Sequence, residues 1–180
     1  MISAFWINTI VKSLSLWIIA YGTGSLVFHK DVKVNYTRKI NHFALFFLPM
    51  YLDTIIPYGR SIEFVAVSGF LSVSTLIIYI HPIRYRVPII ATMFLSFDRP
   101  EDRPYTLKWL STQTAVAYII IIPMIILFSK AGLNNLIFIP IIINGIGDGL
   151  AEPVGIRFGR LKYKTYALFS KRKYIRTIEG

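Results

Sequence analysis

Asp148, Glu152, Gly155 and Gly159 are separated by four, three and four residues, so on a continuous helix they share one face. Two carboxylates beside two glycines give a metal-capable edge, next to a surface that another backbone or a phosphate chain can approach closely. Arg157, Arg160, Lys162 and Lys164 follow immediately. Carboxylate-held Mg²⁺ together with Arg and Lys is the usual equipment for a polyphosphate, because it neutralises charge on the transferring and leaving groups. Asp148 also lies just past the apolar run 136–143, where an unpaired aspartate is expensive and therefore marks a functional-site candidate. Each part has a plainer reading as well. Gly155-x-x-x-Gly159 can serve helix packing, the basic tail can be a solvated segment facing anionic lipid, and Asp148 can cap the helix after it. The functional reading gains from all three falling within one 40-residue stretch.

The backbone around these residues is also distinctive. Gly145, Gly147 and Gly149 alternate, and the Asn144-Gly145 and Asp148-Gly149 dipeptides favour turns. Pro153 lacks an amide donor and would crowd the carbonyl of Gly149 in an unbroken helix. The expected solution is a helix that unwinds over 144–149 and restarts at Glu152-Pro153, a break tolerated at membrane depth where it lines a cavity.

The elements that must position this strip are apolar. Of 180 residues, 54% are hydrophobic and 16% charged, whereas soluble domains run near a quarter charged. The expectation is an all-α, polytopic membrane protein of about five transmembrane helices, with a broken last helix and a basic C-terminal tail. The candidate spans are residues 4–28, 40–58, 62–80, 110–128 and 133–151, with Pro49 and Pro57 expected to kink or end the second. Residues 87–97 are apolar but too short to cross, so an interfacial or re-entrant segment is expected there. The first stretch has Lys12 inside it and no basic region before it, so it is expected to be retained rather than cleaved as a signal peptide.

Residues 29–39, 83–108 and 157–176 hold 17 of the 20 Lys and Arg residues, while Arg60 and Lys130 stand alone in the intervening connections. The positive-inside rule places all three basic segments, the tail included, on the cytoplasmic-type face of a multi-pass protein. The formal charge of +11 is explained by this loop bias, and no nucleic-acid partner is expected. Absence of cysteine excludes a disulfide framework, a thiolate nucleophile and a Cys-based metal site. Neither a repeat nor a low-complexity linker divides the chain, which reads as a single membrane domain, 1–180, carrying the candidate polyphosphate/Mg²⁺-binding strip at 144–180. The sequence leaves the oligomeric state open.

Asp148-x-x-Ala151-x-x-x-Gly155-x-x-x-Gly159, followed after a basic spacer by Arg176-Thr177-x-Glu179-Gly180, resembles the CTP-using polyprenol kinase group. That group includes dolichol, phytol and farnesol kinases and is related to the phosphatidate cytidylyltransferases. A shorter match is Arg38-Lys39-x-x-His42, similar to an element near the start of the kinase branch. The resemblance implies that Asp148 helps hold Mg²⁺ and the nucleotide phosphates, that Gly155 and Gly159 allow close approach, and that Arg176 and Glu179 complete the CTP site. Charge and spacing add Glu152 as a second carboxylate and Arg157, Lys162 and Lys164 as phosphate contacts. Ile175 and Arg176 stand where the family has two lysines, and members of the family continue into further helices beyond the last motif. The chain is therefore expected to be truncated after residue 180.

The resulting expectation is a membrane kinase that moves a phosphoryl group from CTP to a long-chain isoprenoid alcohol, with His42 or a carboxylate taking the alcohol's proton. The alternatives are transfer of a cytidylyl group to phosphatidate, and a non-enzymatic membrane scaffold or transporter segment. In the charged run 98–104, Glu101 or Asp102 is either a further Mg²⁺ ligand or part of a turn whose charges pair locally. Asp53 and Glu63 are expected to pair with cations of other helices. Trp109 and the other aromatics are assigned to interfacial belts.

Overall fold

The computed structural model describes residues 2–59, 62–166 and 173–180. Arg60, Lys171, Arg172 and the side chain of Glu63 lie outside the described residues. The protein is mostly helical. In order, α1 (Ile2–Lys30), α2 (Val34–Ile55), α3 (Ile62–Ile78), α4 (His81–Arg86) and α5 (Pro88–Leu95) lead to a 3₁₀ turn at Pro100–Asp102. Next come α6 (Thr106–Lys130), a 3₁₀ turn at Asn134–Ile137, α7 (Phe138–Ile142), a π-helical turn at Ile143–Asp148 and α8 (Gly149–Phe158). Two strands, β1 (Lys162–Tyr166) and β2 (Lys173–Thr177), close the chain as an antiparallel pair with Tyr163 opposite Arg176 and Thr165 opposite Tyr174.

Among the described residues three helices are long and apolar enough to cross a membrane: Ser3–Lys30, Thr106–Lys130 and the continuous run Asn134–Phe158. The other two expected spans do not meet that standard among the described residues. α2 carries Arg38, Lys39 and Asp53, and α3 has 17 residues, roughly 25 Å of helix against a hydrocarbon core of about 30 Å. Pro49 neither ends nor interrupts α2, which continues to Ile55.

Two further expectations are corrected. The fold is not all-α, because the basic tail contains the β1–β2 pair; its Tyr, Thr and Ile residues suit a pleated strand, and the lysines between them masked that pattern. The last apolar helix is not broken either. Asp148 (φ −66°, ψ −34°) and Gly149 (φ −58°, ψ −43°) are both helical, and the chain adjusts through one π turn instead of unwinding.

The apolar core lies where Tyr79 meets Ala20 of α1 and Met93 and Phe94 of α5. The stretch expected to be interfacial or re-entrant is thus a short helix lodged against α1. The two backbones come close: a Cβ on Gly24 would meet the Thr92 carbonyl carbon at 2.7 Å. A polar ladder crosses the same region, with the Asn41 amide donating to Thr23 Oγ1 and to the Thr37 carbonyl at 2.8 Å each, and the Thr37 hydroxyl donating to the Ser96 carbonyl at 3.1 Å. Satisfied small polar groups of this kind hold helices together where water and a hydrophobic drive are both weak.

Away from this core, Lys12 of α1 pairs with Asp53 of α2 at 2.5 Å, and the fully buried Asn8 amide donates to Asp53 at 3.1 Å. The carboxylate in α2 thus has the cationic partner expected of it. Replacing Lys12 alone with leucine is expected to cost about 2 kcal/mol, because it strands Asp53 in an apolar setting. The double change Lys12→Leu with Asp53→Leu should restore most of that loss, as measured by thermal unfolding of the purified protein.

Candidate functional site

α2, the loop 98–105, the start of α6, α8 and the β1–β2 pair surround one polar cavity of about 380 Å³. Its walls draw on segments far apart in sequence. Arg38 and Lys39 enter from α2, Arg99 and Asp102 from the loop, Asp148 and Glu152 from the helix, and Arg176 from β2. Helical spacing puts Asp148 and Glu152 one turn apart on the same side.

Lys39 is 5% exposed and lies between Asp148, at the end of the π turn, and Glu152 of α8. Its ammonium donates to the Asp148 backbone carbonyl at 2.6 Å and to Asp148 Oδ2 at 3.4 Å, and lies 3.8 Å from Glu152 Oε2. His42, one turn further along α2, places Nδ1 3.7 Å from Asp148 Oδ2 and Nε2 3.3 Å from the Asn144 carbonyl in the π turn. Gly145 and Gly149 make this approach possible. Cβ atoms there would meet Phe47 at 3.3 Å and Phe43 at 2.6 Å, so the aromatic face of α2 packs directly on glycine backbone.

Glu152 is committed elsewhere. Asn35 donates to its Oε1 at 2.6 Å and Arg99 Nη1 donates to the same oxygen at 3.0 Å. Arg99, 3% exposed, also grips Asp102 with a fork of two hydrogen bonds, 2.7 and 3.1 Å. Arg103 binds Asp98 at 2.8 Å. The charges of the 98–104 run therefore pair within the turn, and Arg99 ties that turn to α8.

Arg38 has less support. Its guanidinium stacks 4.1 Å from the Trp109 ring centroid, and its buried Nη1, 3.5 Å from Asp102 Oδ2, has no hydrogen-bond partner among the described residues. Burial and the repulsion of Arg99 pull its pKa down to about 10. A buried cation short of an acceptor is stabilised by any anion that enters beside it.

The two halves of the C-terminal motif pack against each other. A Cβ on Gly155 would meet Thr177 Oγ1 at 2.8 Å and Gly180 Cα at 3.2 Å; one on Gly159 would meet Thr177 Cβ at 2.7 Å. The close approach these glycines permit is to the chain's own end. Glu179 Oε1 accepts the backbone amides of Arg160 and Leu161 at 3.1 and 3.2 Å. Backbone amides, its own and that of Arg160 foremost, hold this carboxyl below the usual range. Glu179 thus pins the tail rather than lining the cavity. Gly159→Ala is expected to push the β pair off α8 at a cost of about 1–3 kcal/mol. Faster proteolysis within 160–180, with the helices still intact, would report that displacement.

Strand alternation sorts the remaining candidates. Tyr163, Thr165, Tyr174 and Arg176 line the cavity, whereas Lys162 and Lys164 alternate to the opposite face. Arg157 is exposed outside the cavity, its guanidinium 5.8 Å from the Phe158 ring centroid. Sequence reasoning passed over Asn35, Arg99 and Trp109 as site residues, because their roles appear only when α2, the loop and α8 meet.

Among the described residues no group of three or more His, Asp and Glu side chains is arranged to hold a metal ion. Among the described cavity carboxylates Asp148 has the most accessible side chain, 53% exposed against 34% for Glu101, which stands 3.8 Å from Arg99 Nε, while Asp102 and Glu152 are tied more closely to arginine. This donor set fits Mg²⁺ arriving with polyphosphate oxygens and taking one protein carboxylate, the usual manner in which Mg²⁺ is held. Compared with family models, curated proteins and solved structures, the chain has no match.

Proposed function

We propose that the protein is a membrane-embedded kinase that transfers the γ-phosphoryl group of CTP to a long-chain isoprenoid alcohol. The observation that carries this reading is convergence. Arg38 and Lys39 of the first motif, Asp148 and Glu152 of the second and Arg176 and Gly180 of the third line one cavity, with His42 beside Asp148. Its volume falls within the range of about 300–1,000 Å³ usual for ligand sites. Cations for phosphate, the accessible carboxylate of Asp148 and the aromatic rings of Tyr105, Trp109, Tyr163 and Tyr174 suit a nucleotide with a stackable base.

In this reading Arg38, Lys39 and Arg176 engage the triphosphate, and Arg38 gains the acceptor that its Nη1 lacks. Asp148 would hold a Mg²⁺ accompanying the nucleotide, and that ion would supply neutralisation of phosphate charge. The alcohol oxygen attacks the γ-phosphorus, the bond from that phosphorus to the β–γ bridging oxygen breaks, and CDP leaves. His42 does not line the cavity itself but stands beside Asp148, its Nδ1 3.7 Å from Asp148 Oδ2, and in this reading accepts the alcohol's proton. Positioning and charge stabilisation supply most of the rate in such a transfer.

The cavity draws on all three basic segments of the sequence, which supports a mouth on the cytoplasmic-type face. The test is incubation of membranes containing the chain with Mg²⁺, isoprenoid alcohols, phosphatidate and CTP labelled separately at the α and γ phosphates. Label from the γ position in a lipid phosphate is the expected result. Label from the α position in lipid would instead identify a phosphatidate cytidylyltransferase. No lipid label from inserted protein would favour a scaffold or transporter segment.

A further inference from the structure

The two strands that wall the cavity have a second face, and its composition is unusual for one that meets only water. Alternation carries Lys162, Lys164, Tyr166, Lys173 and Ile175 away from the cavity. The three lysines are exposed, and among the described residues no carboxylate pairs with any of them. Tyr166 and Ile175 lie on the same face at 66% and 63% exposure, and Lys173 extends over the Tyr166 ring at 5.1 Å. Unpaired ammonium groups interleaved with an exposed aromatic and a branched aliphatic side chain match the requirements of a lipid headgroup layer. The cations meet phosphate there, their stems run along apolar surface, and the rings and methyl groups enter the boundary.

We propose that this outer face of the β1–β2 pair is a docking surface for anionic phospholipid. The charge of the face selects the occupant. Neutral headgroups offer no net attraction to three unpaired lysines, whereas an anionic leaflet attracts each by an amount equal to about fivefold in the docked-to-undocked ratio. Position favours the same occupant, since the pair is anchored by Thr177 and Gly180 to α8, the end of a helix long and apolar enough to cross a membrane. Seating this face on lipid also fixes Tyr163, Tyr174 and Arg176 on the opposite face, so the cavity wall is set by the membrane on which the protein sits. The inference depends on the membrane reading of the long helices and is independent of the chemistry proposed for the cavity.

The chain has no cysteine, so single cysteines at Ile175→Cys and Thr165→Cys give clean labels on the two faces. Full-length protein carrying an environment-sensitive fluorophore at either position is placed in nanodiscs containing headgroup-proximal quencher lipid, with or without phosphatidylserine. The expected result is strong quenching at residue 175 that requires phosphatidylserine and disappears in high salt, with little quenching at residue 165. Changing Lys162, Lys164 and Lys173 together to glutamine should lower the docked-to-undocked ratio by on the order of a hundredfold. Equal quenching at both positions, or quenching at residue 175 that is indifferent to phosphatidylserine, would overturn the proposal. So would failure of the protein to enter nanodiscs, or capture of an oligonucleotide by these lysines without any phosphatidylserine dependence.

Discussion

Asp148→Ala is expected to lower transfer from CTP by on the order of a hundredfold or more, while the protein still inserts and retains its thermal stability. The side chain is half exposed, and its contacts are the weaker ones around it. Lys39 reaches its carboxylate at 3.4 Å but its backbone carbonyl at 2.6 Å, and that carbonyl survives the substitution. The folded state therefore loses little, and the reaction loses its accessible carboxylate. Asp148→Asn is the sharper variant, since it keeps the shape and removes only the charge. Activity within a few-fold of the parent in Asp148→Asn would show that no metal depends on this residue.

The second large effect lies in stability rather than chemistry. Arg99→Met should destabilise the protein by about 3–5 kcal/mol, because it leaves Asp102 and Glu152 facing each other without the cation that joins them. Its side chain is 4% exposed, so solvent screening gives little relief. Arg99→Lys should recover part of the loss, since a lysine keeps the charge but not the fork that grips Asp102. Thermal unfolding of the two variants in the same detergent checks the order. A midpoint for Arg99→Met equal to the parent's would mean that the loop 98–105 does not depend on this residue for its attachment to α8.

The legible parts of the fold were those set by composition alone. The runs that became α1, α6 and the last long helix stand out because a span needs about 20 apolar residues in sequence, and nothing tertiary is required to see that. Asp53 was legible as a carboxylate in need of a partner, and Lys12 supplies it. The helix break at 144–149 was misread because glycine has two uses. Gly145 and Gly149 suit turns by their dihedral freedom, but here they are helical and serve as landing places for Phe43, Phe46 and Phe47. Sequence cannot distinguish a glycine chosen for its dihedral freedom from one chosen for its missing Cβ.

The site was partly legible for a similar reason. Asp148, Lys39 and His42 are brought together as two motifs that meet, whereas Arg99 belongs to no motif and gains its role from three elements that converge on it. The β pair was hidden because its lysines look like a tail, although Tyr163, Thr165, Tyr166, Tyr174, Ile175 and Thr177 are good strand formers. Lys162 and Lys164 were candidates by charge, and the strand register turns them away from the cavity while turning Arg176 toward it.

The central claim is that this cavity binds a nucleoside triphosphate with Mg²⁺. Equilibrium binding of α-labelled CTP to the full chain in nanodiscs, with and without chelator, tests it most directly. The account predicts saturable binding that is lost on chelation and weakened at least several-fold by Arg38→Gln and by Arg176→Gln, with Lys164→Gln leaving it unchanged. CTP binding that is absent, or equally strong in all three variants, would contradict it.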